Sequence, residues 1–451
     1  MFNKLYTWLV SSILFPLHES IKKHDTVRIH RQLMKSQWLS KQDIEKQADD
    51  RLHYFIARAA TDVPYYRDIF KQQNIAALDI SCKADLAKLP FLDKATIREH
   101  FDALKSDNSG TTQPFTTGGS SGTPLTFLLS NERVSHDVAE KWRATQWWDV
   151  DIGDKEIVAW GSPIELGAQD KVRMLRDKLF RSTLIPAFDM NEQKLLGFIE
   201  QIKAIAPKML FGYPSVYALI AKTAQAHNIA LNNLGIKVAF VTSERLYPYQ
   251  REIIEEVFGA PVANGYGGRD AGFIAHQCLE GNMHVSAEDI IVEIIDKAGN
   301  ALPDGQSGEI VVTHMATSDF PFIRYRTGDI GALDTKPCSC GRGLPVLKDI
   351  EGRATDFVVA EDGTVMHGLA LIYIIREMQG IEAFKIIQKT TTLTQVYLVP
   401  TDGLTSEMSQ QIEQGFKSRL GENVTIELLE VDVIEAEQSG KFRYVISEVD
   451  I

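Results

Sequence analysis

The residues best equipped for chemistry lie in short clusters spread along a chain of 451 residues. The first is Thr116-Thr117-Gly118-Gly119-Ser120-Ser121-Gly122-Thr123-Pro124, followed by the apolar run Leu125 to Leu129. Three glycines let the backbone turn sharply and come close to a ligand, and the interleaved hydroxyls can donate to phosphate oxygens. That composition reads as a phosphate-holding loop. A solvated turn leading into a strand has the same composition, and with no Gly-Lys-Ser/Thr behind it the stretch is not a Walker loop. A second cluster pairs Cys278 and His284 with Cys338 and Cys340. Three thiols and an imidazole are the donor set of a closed tetrahedral zinc site, although the spacing is not a double Cys-x2-Cys. His276 competes for the fourth position. The plainer reading makes the cysteines small buried hydrophobes and His284 a hydrogen-bonded surface residue.

Such residues need a scaffold, and the pattern from Glu156 onward supplies one. Short apolar runs (Ile157 to Trp160, Lys208 to Phe211, Val238 to Thr242, Pro261 to Ala263) alternate with helical stretches (Asn191 to Ala206, Ser215 to His227, Tyr249 to Phe258). This alternation predicts an α/β fold with a largely parallel, helix-covered sheet. Ligands in such sheets gather beyond the carboxyl ends of strands. Ser243-Glu244 and Gly265 to Asp270 fall at two of those ends. Glu244 reads equally as a helix cap or as a wall of a nucleotide pocket.

Upstream, residues 19 to 104 are rich in helix formers and carry no catalytic constellation, and Asn131 to Trp148 reads as a helix whose Trp142, Trp147 and Trp148 are core or pocket lining. Downstream, Asp289 to Ile295 and Glu309 to Thr313 read as antiparallel strands. Phe322 to Asp329 places two arginines and an aspartate around one turn, and Asp349 to Asp356 forms a further polar cluster. Residues 357 to 451 then read as a hairpin, a helix, two strands, a helix and a strand, a compact α+β unit. The expected boundary divides a domain of residues 1–353 from one of residues 354–451. Near its end stands Lys441, flanked by Gly440.

Composition narrows the classes. A net charge of −12 and a pI near 5.5 exclude a nucleic-acid surface, which needs a basic field. Four cysteines are too few and too uneven for a secreted disulfide framework, so a reducing, cytoplasmic setting is expected. The apolar stretch Leu5 to Leu17 is too short for a membrane span. It reads as a helix packed on the body of the protein, with loose attachment to a membrane face as the alternative.

Thr117 to Pro124, Tyr266-Gly267-Gly268-Arg269-Asp270, Tyr325 to Asp329, Gly352 to Asp356 and Ser439 to Arg443 occur in the order and approximate spacing of the adenylate-forming superfamily of acyl-CoA synthetases. The chain resembles most its phenylacetate-CoA ligase group and the relatives of that group in capsular polysaccharide clusters. Gly212-Tyr213-Pro214-Ser215 and the cysteine segments carry that closer match. The resemblance implies a large N-terminal domain, a small mobile C-terminal domain turning about Ala354 to Asp356, and ATP-dependent activation of a small carboxylic acid. It implies that Thr117, Gly118, Gly119, Ser120, Ser121, Gly122 and Thr123 hold phosphates, that Gly265, Tyr266 and Gly267 bind the nucleotide, and that Tyr266 lies against adenine. Asp270, where glutamate is usual, would hold magnesium; Asp329, supported by Arg353, would bind ribose; Lys441 would neutralise charge at the α-phosphate. It favours zinc at the cysteine cluster and a thiol acceptor, coenzyme A or a carrier protein. Transfer to a sugar, and a non-catalytic nucleotide-binding scaffold in a polysaccharide assembly, are the alternatives.

Overall fold

Ser40 starts the longest helix of the N-terminal region by accepting a hydrogen bond from the Asp43 N–H, and Lys41–Asp62 then buries Ile44, Ala48, Leu52, Phe55, Ile56 and Ala59 at the three-to-four spacing of one helical face. It ends where Val63, extended ahead of Pro64, cannot continue the turn. The computed structural model describes every residue except 1, 117–124, 161–170, 188–189, 191, 352–356, 377, 379, 402, 435–443 and 450–451. The described residues form two units. One comprises residues 1–117, 125–154 and 263–352, and the other the remainder.

In the first unit, helices occupy most of the first hundred residues. A hairpin follows, β1 (Thr112–Thr116) against β2 (Thr126–Ser130), with Thr116 opposite Thr126. The pairing of these two strands is a feature that the sequence did not announce; the glycine and hydroxyl residues 117–124 lie outside the described residues. Ser130 ends β2 and caps helix Asn131–Gln146 by accepting from the Arg133 N–H. Trp142, Trp147 and Trp148 are all core. Their indole N–H groups donate to Asp151, Gln37 and the Gln277 carbonyl, which is what allows a tryptophan to be buried without an orphaned donor.

The second unit begins with four parallel strands, β3 (Glu156–Trp160), β4 (Ser182–Pro186), β5 (Met209–Gly212) and β6 (Val238–Thr242), in the order β6-β5-β3-β4. All residues of β5 and β6 are buried, the mark of strands covered on both faces. Helices Glu192–Ile205, Pro214–Ala226 and Pro248–Phe258 pack against them, close to the expected spans.

Chain then returns to the first unit as β7 (Val262–Gly268), β8 (Gly272–Gln277), β9 (Met283–Val285), β10 (Ile290–Ile295), β11 (Gly308–His314), β12 (Phe322–Leu333) and β13 (Val346–Glu351). Their order is β10-β11-β12-β13-β9-β8-β7, antiparallel at each pairing. One expectation is corrected here. Arg324, Arg326 and Asp329 do not surround a turn; they lie within β12, which bends through irregular register against β11, with Arg324 and Gly328 at positive φ. Arg324 points inward to a buried pair with Glu293 and donates to the Leu89 carbonyl, so it supports the fold.

The remaining described residues form β14 (Phe357–Val359), β15 (Val365–His367), helix Leu369–Arg376, β16 (Ile381–Thr390), β17 (Leu393–Pro400), helix Ser406–Leu420, β18 (Thr425–Glu430) and β19 (Val445–Ser447). The four-stranded sheet runs β18-β17-β16-β19 over its own core of Phe384, Val396, Ile412 and Phe416. The mixed α/β class with an α+β C-terminal part is the class expected from the sequence.

Two buried histidines make the first unit acid-sensitive. His30 stacks on Trp142 at 3.8 Å and bonds to Gln146, and burial pushes its imidazole down to about 4. Burial, then the Arg133 charge, pushes His314 down to about 4 as well. An unfolded histidine takes up its proton near pH 6.5, so unfolding binds protons between pH 6.5 and 4 and stability falls as pH falls through that window. Each histidine should contribute a slope of about 1.4 kcal/mol per pH unit. Denaturant midpoints measured from pH 7 to 4.5 should show this loss, with a shallower slope in His30→Asn; a pH-independent midpoint contradicts it.

Candidate active site and metal centre

Tyr266 lies in β7 and Asp329 in β12, and the Tyr266 hydroxyl donates to Asp329 Oδ2 at 3.0 Å. A reciprocal contact sits beside it. The hydroxyl of Tyr325, also in β12, donates to Asp270 Oδ2 at 2.6 Å, while the Ala271 N–H donates to Oδ1 at 3.0 Å. Burial, then the Asp329 charge, holds the Tyr266 phenol well above its ordinary range, so it stays a donor. Each carboxylate keeps lone pairs for further donors or a cation.

Sharp backbone makes this placement possible. A Cβ at Gly267 would stand 2.2 Å from the Gly272 carbonyl oxygen, and Gly272 itself has φ +85 with His314 and Arg133 packed where its side chain would be. Only glycine fits either position. Arg133 then holds the turn from below: its guanidinium donates to the Arg269 and Asp270 carbonyls, both at 3.3 Å, and to Asp137 at 2.9 Å. Arg133 and Tyr325 are the participants that sequence reasoning missed. Arg133 carried no signal beyond its helix, whereas Tyr325 stood in plain view inside a cluster read for its charges.

Gly265, Tyr266, Gly267, Asp270 and Asp329 are thus brought together. Glu244 belongs to the other unit, where it follows β6 just after Ser243 at φ 72, and its carboxylate accepts from the Ser215 hydroxyl in the first turn of helix Pro214–Ala226. A carboxylate is favoured at a helix start. Thr117, Gly118, Gly119, Ser120, Ser121, Gly122 and Thr123, together with Arg353 and Lys441, lie outside the described residues.

The cysteine cluster assembles from two connections. Cys278 follows β8, and a tight turn, with the Gly281 N–H donating to the Cys278 carbonyl at 2.9 Å, returns the chain into β9 at His284. Cys338 and Cys340 lie between β12 and β13. Their loop is pinned by Arg342, whose guanidinium sits between Trp38 and Trp147 at 4.8 and 4.4 Å from the ring centroids. The four donor atoms of Cys278, His284, Cys338 and Cys340 lie within 4.8 Å of one another. Cys278 Sγ and Cys338 Sγ are 3.7 Å apart, and Cys340 Sγ is 3.2 Å from His284 Nε2. Zinc–sulfur bonds of about 2.3 Å in a tetrahedron place sulfurs roughly 3.7 Å apart, so the donors fit a metal of that kind. His284 Nδ1 faces the Leu344 carbonyl at 3.2 Å, which directs Nε2 toward the sulfurs. Burial lowers the His284 pKa to about 4, keeping the imidazole neutral as a ligand must be. His276, the competing candidate, instead stacks on Phe273 at 5.5 Å.

Comparison with known proteins places these features in context. Residues 358–448 match the family model of the CapK C-terminal domain. Over 412 residues the chain is 24% identical to Protein CapK of Staphylococcus aureus, covering 90% of each chain. It is 25% identical to phenylacetate-coenzyme A ligase of Aromatoleum evansii, covering 69% of this chain and 70% of the relative. Among solved structures it is similar to 2-hydroxyisobutyryl-CoA ligase in complex with 2-HIB-AMP and CoA in the thioesterification state, with 20% identity, a TM-score of 0.66 and coverage of 92% of this chain and 91% of that one. At that identity the likeness carries the fold.

A bound metal at Cys278, His284, Cys338 and Cys340 would tie β8, β9 and the β12–β13 connection together. Elemental analysis should find stoichiometric zinc, and strong chelation or Cys338→Ser should cost about 3 kcal/mol or more, a melting-point drop of roughly 6 to 12 °C. A metal-free protein whose melting point ignores both treatments contradicts the site.

Proposed function

We infer, from a chain that belongs to the adenylate-forming superfamily and within it to the CapK-like group, that it is an AMP-forming acid–thiol ligase. It activates a small carboxylic acid with ATP and passes the acyl group to coenzyme A. The observation that carries this reading is the paired arrangement of Asp270 and Asp329, each anchored by a tyrosine hydroxyl where β7 and the turn after it face β12.

A carboxylate oxygen of the acid attacks the α-phosphorus of ATP, the bond to pyrophosphate breaks, and an acyl-adenylate forms. A thiolate then attacks the acyl carbon and AMP leaves. Magnesium, when bound, would screen the phosphate charge, and a hard cation of this type suits the oxygen donors of Asp270. Tyr325 and the Ala271 N–H orient that carboxylate, and Arg133 fixes the backbone beneath it. Asp329 accepts from Tyr266 and has capacity for the ribose hydroxyls. Thr117 to Thr123 would cradle phosphates, Glu244 and Arg353 would complete the nucleotide site, and Lys441, delivered by a mobile domain of residues 354–451, would stabilise charge in the transition state. Zinc in the cysteine cluster would be structural, because side chains fill every position. ATP and coenzyme A suit a cytoplasmic setting.

A second reading differs in the acceptor. The likeness to CapK covers 90% of both chains, against 69% of this chain for the coenzyme A ligase of Aromatoleum evansii, and the C-terminal segment matches the CapK model. This favours an acyl group delivered to a carrier-protein thiol or to a sugar, within a polysaccharide assembly, after the same adenylation.

Acid-dependent ATP–pyrophosphate exchange across pools of aryl, fatty, hydroxy and amino acids tests the shared first step. One pool should support exchange, Lys441→Ala should abolish it, and Tyr325→Phe should raise the magnesium requirement about tenfold or more, the worth of one hydrogen bond to a charged group. ATP binding without exchange from any pool contradicts the ligase reading and leaves the non-catalytic scaffold.

A further inference from the structure

Residues 2 to 21 form a nearly continuous helical rod with two unlike faces: helix Phe2–Leu9, a π-turn over Val10–Leu14, and helix Phe15–Ile21. One face is built into the protein. Val10 packs so tightly on Gly153 that a Cβ there would stand 2.5 Å from its own. Phe15 meets Trp142 edge-on at 5.3 Å, and buried Glu19 bonds to His18, His24 and Thr26. The opposite face carries Leu5, Trp8, Ile13, Leu17 and Ile21, each between 46% and 74% exposed.

The π-turn is what makes those five residues one stripe. In an unbroken α-helix, at about 100° per residue, Ile13 would point roughly 140° away from Trp8. A π-turn absorbs one extra residue, so Ile13 follows Trp8 as a fourth neighbour would, and Leu17 and Ile21 continue at the same spacing. Backbone irregularity thus aligns exposed apolar side chains.

Charge indicates what covers the stripe. Residues 1 to 36 contain six lysines and arginines (Lys4, Lys22, Lys23, Arg28, Arg31, Lys35) against Glu19 and Asp25, in a chain whose net charge is −12. Glu19 is buried and paired, so it does not offset the exposed bases. Lys22 and Lys23 stand exposed where the stripe ends at Ile21. Apolar residues with a central tryptophan and flanking lysines on an otherwise acidic protein are the pattern of a helix lying in the interface of an anionic bilayer. No helix among the described residues is long and apolar enough to cross a membrane.

We propose that the Leu5, Trp8, Ile13, Leu17 and Ile21 face, with Lys4, Lys22 and Lys23, docks the protein on the surface of an anionic lipid membrane. The proposal is independent of the adenylation chemistry. Its test is co-sedimentation of the full chain with phosphatidylcholine vesicles, with and without about one third phosphatidylglycerol, at low and high salt. Binding to the anionic vesicles should exceed binding to neutral ones by at least about tenfold and fall with salt. Trp8→Ser with Leu17→Ser, and separately Lys22→Glu with Lys23→Glu, should each lose most of that binding while melting points stay unchanged, because these side chains face solvent. Equal binding to both vesicle types, or binding indifferent to both variants, overturns the proposal. So does a concentration-dependent dimer, abolished by the serine variant, that ignores vesicles; that result would assign the stripe to a second copy of the chain.

Discussion

Two hydrogen bonds between tyrosines and carboxylates, Tyr266 to Asp329 and Tyr325 to Asp270, are the constraint on which the candidate active site depends. They cross in opposite senses between β7 with its following turn and β12, so each segment both gives and receives an anchor. Both bonds depend on the close approach of β7 and β8 around the turn that bears Asp270, where a side chain at Gly267 or Gly272 would clash. The buried Arg133 then reaches, with His314, into the space that Gly272 leaves, and ties the turn to the helix that begins where the β1–β2 hairpin ends. Two stretches far apart in sequence, the helix Asn131–Gln146 and the turn bearing Asp270, are therefore held by one guanidinium. A buried guanidinium satisfied by carbonyls and a carboxylate is costly to disturb, which is a physical reason for rigidity beneath a site that must bind a charged nucleotide.

The same unit separates its structural polar groups from its candidate functional ones. Arg324 and Glu293 pair in the interior between two strands of the sheet, and Arg143 pairs with Glu140 of its own helix and with Glu288 beyond it. A metal held by the cysteine cluster would perform the corresponding task for the β8–β9 turn and the β12–β13 connection, whose four donor atoms lie within 4.8 Å of one another.

Much of this was legible in the sequence wherever periodicity governs. The alternation of β3 to β6 with helices, and the strands and helices beyond Phe357, follow from apolar runs of the right length. The cysteine and histidine donors were legible too, because their chemistry is distinctive even at unusual spacing. What escaped depended on backbone geometry. Phe322 to Asp329 looks like a turn because it is charged and contains Gly328, yet antiparallel pairing with β11 carries it through as a strand with bulges. The β1–β2 hairpin was hidden because Pro114, Gln113 and two threonines give β1 little apolar pattern. Arg133 was invisible because nothing local distinguishes a helical arginine that faces solvent from one that supports a turn 137 residues away.

The central claim is that this scaffold joins a carboxylate to the α-phosphate of ATP, and the most direct measurement follows the atoms. An accepted acid labelled with heavy oxygen in its carboxylate, incubated with ATP, magnesium and coenzyme A, should yield AMP carrying one labelled oxygen, as read by mass spectrometry, with unlabelled pyrophosphate. Label in inorganic phosphate alongside ADP, or AMP without label, would contradict the account, since either would mean that the acid never bonded to the α-phosphorus.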